Sequence, residues 1–266
     1  MSDDTLVTYE LDGKTALVGL NRAEKRNAIS EAVINQLRAA VLRAQDEADV
    51  GVLFGHGPNF SAGLDLAEAL ARASGKVPPP RKRRRHNWHE VFDHIERGPI
   101  PWVAALHGAV VGGGLELAMA AHIRVCDESA FFGLPEGQRG IFVGGGGTVR
   151  IQRVVGTTVM TDMMLTGRLL SPAEGLQEHI VRYVVPTGDA LAKARALAER
   201  IGQNTPETNW KIVNVLPRVH DLSHDDGLFV EQLNSAMARP PEAEQRLREF
   251  VDGKAKALVR PGSEPG

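Results

Sequence analysis

The stretch HGAVVGGGLELAMAA, His107 to Ala121, decides how this chain is read. Three glycines, Gly112 to Gly114, end an apolar run, and Glu116 follows among Leu115, Leu117, Ala118 and Met119. The pattern predicts a buried strand over Trp102–Val111, a glycine turn and then a helix opening within 112–114. Glycine permits a sharp bend and lets a ligand come close to main-chain N–H groups. A helix that opens there presents unpaired donors and a positive dipole end. A carboxylate set among apolar neighbours is costly if it is buried without partners. The glycines are therefore an anion or oxyanion site beside a carboxylate, or simply a place where a helix packs closely on a strand. By themselves they favour the second.

The surrounding chain alternates strands and helices. Asp12-Gly13 sits between two apolar runs, a hairpin signal. Val33, Ile34, Leu37, Val41 and Ala44 repeat at helical spacing between Ser30 and Asp46. GVLFGHG (51–57) reads as a buried strand, and Leu64–Ala73 and His86–Glu96 as helices. HIRVCDE (122–128) is another strand. SPAEGLQEHI opens a helix with Ser171 as N-cap, Pro172 at the first helical position and Glu174 completing a capping box. IVRYVV (180–185) follows as a strand, and beyond Gly188 the pattern is helical. This order predicts an α/β core with a helical C-terminal part, divided as residues 1–200 and 201–266.

The chain has 266 residues, 42% of them hydrophobic, and a formal net charge of −2. Balanced charge gives no general attraction to nucleic acid or membrane. The single cysteine, Cys126, excludes an intrachain disulfide and fits a cytoplasmic setting. The first ten residues lack a signal-peptide pattern, and no apolar run has the length of a membrane span. Arg81–Arg85 is a basic run after three prolines, in a loop or insertion that breaks all periodicity.

Two further segments join the first. FFGLPEGQRG (131–140) fixes Glu136 between Pro135 and Gly137, and FSAGLDL (60–66) reads as strand, glycine turn and helix start. Taken with LNRAEKRNAIS near the N-terminus and LTGRLLSPAEGLQEHIVRYVVP after the glycine run at 144–147, the sequence resembles the crotonase (enoyl-CoA hydratase/isomerase) superfamily over about residues 5–200. The resemblance implies a spiral of ββα units with C-terminal helices that build a homotrimer or a dimer of trimers. It implies stabilisation of a thioester enolate by the main-chain N–H groups of Leu64 and Gly113. Glu116 and Glu136 fall on the two glutamates of the family's hydratases. Glu116 is expected to orient water, and Glu136 to exchange a proton with the substrate α-carbon. The adenine end of coenzyme A is expected near Lys25, Arg26, Ala28, Ala62, Asp65 and Leu66, and the acyl group near Trp88, Phe92 and Phe142. Coenzyme A is then part of the acyl-CoA substrate, and no separate cofactor or metal is implied.

Some motifs carry less. His89 and His94 in HNWHEVFDH are five residues apart and diverge on a helix, unlike the i, i+4 pair of a zinc site. GGGGT (144–148) lacks the lysine of a phosphate loop. Cys126 reads as a small core residue. The expected activity is 2-enoyl-CoA hydration. The alternatives are a specialised hydratase or thioester hydrolase for an unusual acyl group such as methylthioacryloyl-CoA, and a double-bond isomerase. RNA binding through Arg81–Arg85 is disfavoured, because that run has no interleaved aromatics for base stacking.

Overall fold

A computed structural model describes residues 5–76, 87–237 and 241–254. The basic run Arg81–Arg85, and His86, lie outside the described residues. The chain divides into two compact units, Met1–Gly202 and Gln203–Gly266.

In the first unit, β1 (Val7–Asp12) and β2 (Thr15–Leu20) form the expected antiparallel hairpin, with Asp12 opposite Thr15. Next come α1 (Glu31–Glu47), β3 (Val50–Gly55), α2 (Leu66–Ala73) and α3 (Asn87–Glu96). Ser30 caps α1 by accepting from the Val33 N–H, and all five periodic residues read from the sequence are buried. The expected strand 102–111 is two strands, β4 (Trp102–Leu106) and β5 (Ala109–Val111), in different sheets. The break falls at Gly108, whose φ of +52 turns the chain where a Cβ would lie 2.1 Å from the Pro58 carbonyl. Then follow α4 (Gly113–Ala118), β6 (Ile123–Asp127), β7 (Phe131–Gly133), α5 (Gly147–Thr166), β8 (Leu169–Leu170), α6 (Pro172–Gln177), β9 (Tyr183–Val185) and α7 (Ala190–Ile201). Ser171 and Glu174 close the capping box on α6. The helix read from Leu64 begins two residues later, because Asp65 caps it by accepting from the Ala67 and Glu68 N–H groups. Helix α5 was not legible as an element; it is interrupted at Gly156, where φ is +77.

The large sheet runs β1-β2-β3-β4-β6-β9, parallel from β2 onward, and the small one runs β5-β7-β8. Successive side chains of a strand face opposite ways. Val103 and Ala105 accordingly pack on Ala190, Ala194 and Ala198 of α7, whereas Ala104 and Leu106 join the main core with α1, α3 and α4. The connectivity repeats. Strand β4, then β5, then α4 makes one turn of a spiral, and β6, β7 and α5 make the next. Before them, β3 leads to Ser61, which bridges Val110 of β5, and on to α2.

The second unit contains α8 (Pro206–Val219), α9 (His224–Ala236) and α10 (Pro241–Val251), with Thr205 and Ser223 capping α8 and α9. Its helices expose large apolar side chains, among them Trp210, Leu216, Phe229, Leu233 and Phe250. No helix among the described residues is long and apolar enough to cross a membrane.

Candidate active site

Each turn of the spiral delivers one part of the site. Strands β5 and β7 lie side by side, with Val111 opposite Gly133, and the Gly112 N–H donates to the Gly133 carbonyl at 2.8 Å. Three residues beyond Gly133 the chain reaches Glu136, directly against Gly112. Gly112 has φ +55, and a Cβ there would lie 2.7 Å from Glu136 Oε1. A side chain at 112 is thus excluded both by backbone conformation and by the carboxyl that occupies its place.

The preceding turn supplies Leu64. Ile29 N–H donates to the Gly63 carbonyl and Asp65 N–H to the Ile29 carbonyl, which pins Leu64 against the segment that caps α1. A Cβ at Gly113 would lie 3.5 Å from the Leu64 nitrogen, and one at Gly63 would lie 3.0 Å from the Gly113 nitrogen. The two amides are therefore neighbours. Among the described residues neither donates a hydrogen bond. Gly113 is buried and Leu64 is exposed, so these two adjacent free donors are open to an incoming oxygen. Helix α4 is only six residues long, so the individual N–H groups matter here more than a helix dipole.

Glu116 is 3% exposed and lies on α4. Its Oε1 accepts from the Gly145 and Gly147 N–H groups, both at 2.8 Å. The glycine run at 144–147 is thus the cradle of this carboxylate, a role the sequence reading missed. The signal there is the same as at 112–114, several glycines before a helix, without the lysine of a phosphate loop. Burial pushes the Glu116 pKa up, and the amides of Gly147, Gly145 and Gly144 oppose that shift by favouring the charged form.

Glu136 is 6% exposed, and its Oε2 has no hydrogen-bond partner. Its pKa is also raised, first by burial, with the nearby charge of Glu116 adding to it. Two carboxyls that share a site resist joint ionisation. One carboxyl accepts from two backbone donors and the other has a free oxygen, which suits water activation by the first and proton exchange by the second.

The remaining expected residues sort into four groups. Trp88 and Phe92 of α3 stand at the site, with ring centroids 5.8 Å apart. A Cβ at Gly113 would strike the Trp88 ring at 2.3 Å, and Phe92 packs beside Gly145 and Glu116. Lys25, Arg26, Ala28, Ala62 and Leu66 gather around the Leu64 segment, where the Ala62 N–H donates to the Arg26 carbonyl. Lys25 and Arg26 are exposed, and Arg26 is left-handed with φ +52. The Asp65 carboxylate caps α2 and pairs with Arg22 at 2.6 Å, which holds its pKa down. Arg22 was not anticipated. Phe142 is 70% exposed and lines a cavity of about 340 Å³ with Ile141, Met160, Met164 and Leu165. Cys126 is buried, and burial pushes its thiol up to about 12. Among the described residues no three His, Cys, Asp or Glu side chains converge on a possible metal position.

A ββα spiral whose successive turns supply a free amide, a cradled carboxyl and a second buried carboxyl is the crotonase-like class of α/β fold. The chain belongs to the enoyl-CoA hydratase/isomerase family, whose model matches residues 10–237. A solved relative from Rhodopseudomonas palustris CGA009 is 41% identical, with 96% of this chain and 97% of that one covered at a TM-score of 0.85. The enoyl-CoA hydratase of Thermoplasma volcanium GSS1 is 29% identical, covering 93% and 98%, at a TM-score of 0.83. A sequence relative, probable enoyl-CoA hydratase 2 of Arabidopsis thaliana mitochondria, is 35% identical over 81% of this chain and 71% of its own length.

Proposed function

We propose that this protein is a 2-enoyl-CoA hydratase. The observation that carries the reading is the pairing of Glu116, cradled by glycine amides, with Glu136, buried with a free oxygen. In this reading the Leu64 and Gly113 N–H groups receive the thioester oxygen, on which charge builds as water adds. Removing one such donor typically costs about 3 kcal/mol of barrier lowering. Glu116 takes a proton from water as the water oxygen bonds to the β-carbon. Glu136 gives its proton to the α-carbon, and after product release a proton passes from Glu116 back to Glu136 through solvent. The electron pair of the double bond passes through the enolate and returns as the new C–H bond. One water is consumed and the thioester is retained.

Coenzyme A binds by its adenine end along Lys25, Arg26, Ala28, Ala62 and Leu66, with the two cations meeting phosphates. Asp65 stands in the same group, its carboxylate holding α2 and Arg22. The acyl group runs past Trp88 toward Phe142, while Phe92 backs Glu116. The substrate brings its coenzyme A, and no further cofactor is needed. The exposed apolar faces of α8, α9 and α10 support assembly as a trimer or a dimer of trimers.

Double-bond isomerisation needs only the Glu136 carboxyl, so the backbone cradle built for Glu116 favours hydration. The test is a panel of enoyl-CoA esters of varied length and heteroatom content, followed by loss of conjugated absorbance and by thiol release. Hydration gives absorbance loss without free thiol. Stoichiometric thiol release instead assigns thioester hydrolysis, and migration of the double bond without water uptake assigns isomerisation.

A further inference from the structure

Arg150 has no part in the chemistry above, yet among the described residues it is one of two buried arginines, at 8% exposure. It stands on the first turn of α5. Its Nε donates to Glu96 Oε2 at 2.9 Å and its Nη2 to Asp93 Oδ1 at 2.5 Å. Both acids belong to α3 and are three residues apart, so they share a face. The third arm turns the other way, and Nη1 donates to the Gly145 carbonyl at 3.1 Å. Gly146, with φ +99, lies so close that a Cβ there would fall 2.2 Å from Nη1. The guanidinium therefore grips the peptide lying between the two amides, Gly145 and Gly147, that hold Glu116.

We propose that Arg150 is a positioning residue for Glu116. Anchored by Asp93 and Glu96, it fixes the glycine segment so that both N–H groups aim at one carboxylate oxygen. Four residues rich in glycine have little conformational preference of their own, and the cradle needs an external constraint. A planar fork with donors in fixed directions can engage three acceptors at once, which a lysine cannot do. A strut that served only to hold α3 to α5 would need the two acids but not the Gly145 carbonyl.

The inference rests on the hydratase reading, and the test separates the two. R150A and R150K are measured beside the wild-type full chain with crotonyl-CoA. R150A is expected to lose about 10²-fold in kcat, the scale of an ångström's misplacement, with KM little changed. The acidic limb of its kcat/KM profile moves to higher pH, because Glu116 loses hydrogen bonds that favour its charged form. Added guanidinium ion restores part of kcat, and R150K, with charge but no fork, falls between. Wild-type kcat with an unmoved limb in R150A overturns the proposal. So does a loss that shows neither the limb shift nor a guanidinium response. If R150A does not fold by circular dichroism, R150K decides by the same limb. Should the wild type hydrate none of the esters, the hydratase reading fails instead. Carbon-13 titration of the Glu116 carboxyl then tests Arg150 alone, and an unchanged titration in the folded variant refutes it.

Discussion

Replacing Glu136 by glutamine separates the needs of the fold from the needs of the reaction. The carboxyl is buried with Oε2 unpartnered, and its pKa is raised by burial and by Glu116. A proton exchange step lost from a positioned acid typically costs about 10²–10⁴ in rate, or roughly 3–5 kcal/mol of barrier. E136Q is expected to lose that much crotonyl-CoA hydration while still binding the ester. Stability should move the opposite way. A carboxyl with a raised folded-state pKa is neutral in both states below its ordinary value of 4.5. As pH rises from there to the folded value, the folded state keeps a proton that the unfolded chain has given up. The fold then loses about 1.4 kcal/mol per pH unit relative to the unfolded chain. Glutamine has no such dependence. E136Q and the wild type should unfold alike near pH 4. The variant should gain as pH rises, by about 2–4 °C in Tm for each kcal/mol. Thermal unfolding from pH 4 to 8, with initial rates at each pH, measures both. Wild-type turnover in E136Q, or unfolding curves that stay parallel across that range, would refute the assignment of this carboxyl.

In E116Q the side-chain oxygen can still accept from Gly145 and Gly147, so the fold and ester binding should persist while hydration falls by about 10²-fold or more; initial rates and ester titration check it. G113A places a methyl 2.3 Å from the Trp88 ring, and hydration should fall by about 10²–10³ through the displaced amide. The double variant with W88A, which opens that space, should recover part of the loss if the clash is the cause. Ser30→Ala removes the cap that accepts from Val33 at 3.2 Å, and denaturant unfolding should show a loss of about 1 kcal/mol.

Much of this architecture could be read before any coordinates. Asp12-Gly13 announced the hairpin, the buried stripe of α1 appeared at helical spacing, and Ser171, Pro172 and Glu174 marked the start of α6. These are local instructions, written within a few residues of where they act. The carboxyls at 116 and 136 were legible through the family resemblance; their neighbours alone, glycine, proline and leucine, leave each of them a plain structural reading as well. What escaped was short or non-local. Strand β7 has three residues and no alternation to detect. The break at Gly108 depends on Pro58, fifty residues earlier. The partner of Asp65 is Arg22, and the cradle of Glu116 is a glycine run about thirty residues further along the chain, with nothing local to tie the two together.

The sequence by itself determined the alternation of elements, their caps and turns, and the presence of two unusual carboxyls and two glycine runs. Only the tertiary structure decided which backbone amides face which carboxyl, which N–H groups stay free, and that one arginine touches two acids and a glycine carbonyl. The reason is that capping and periodicity are set by covalent neighbours. Desolvation, and the hydrogen bonds that answer it, are set by whichever distant segment the sheet register brings alongside.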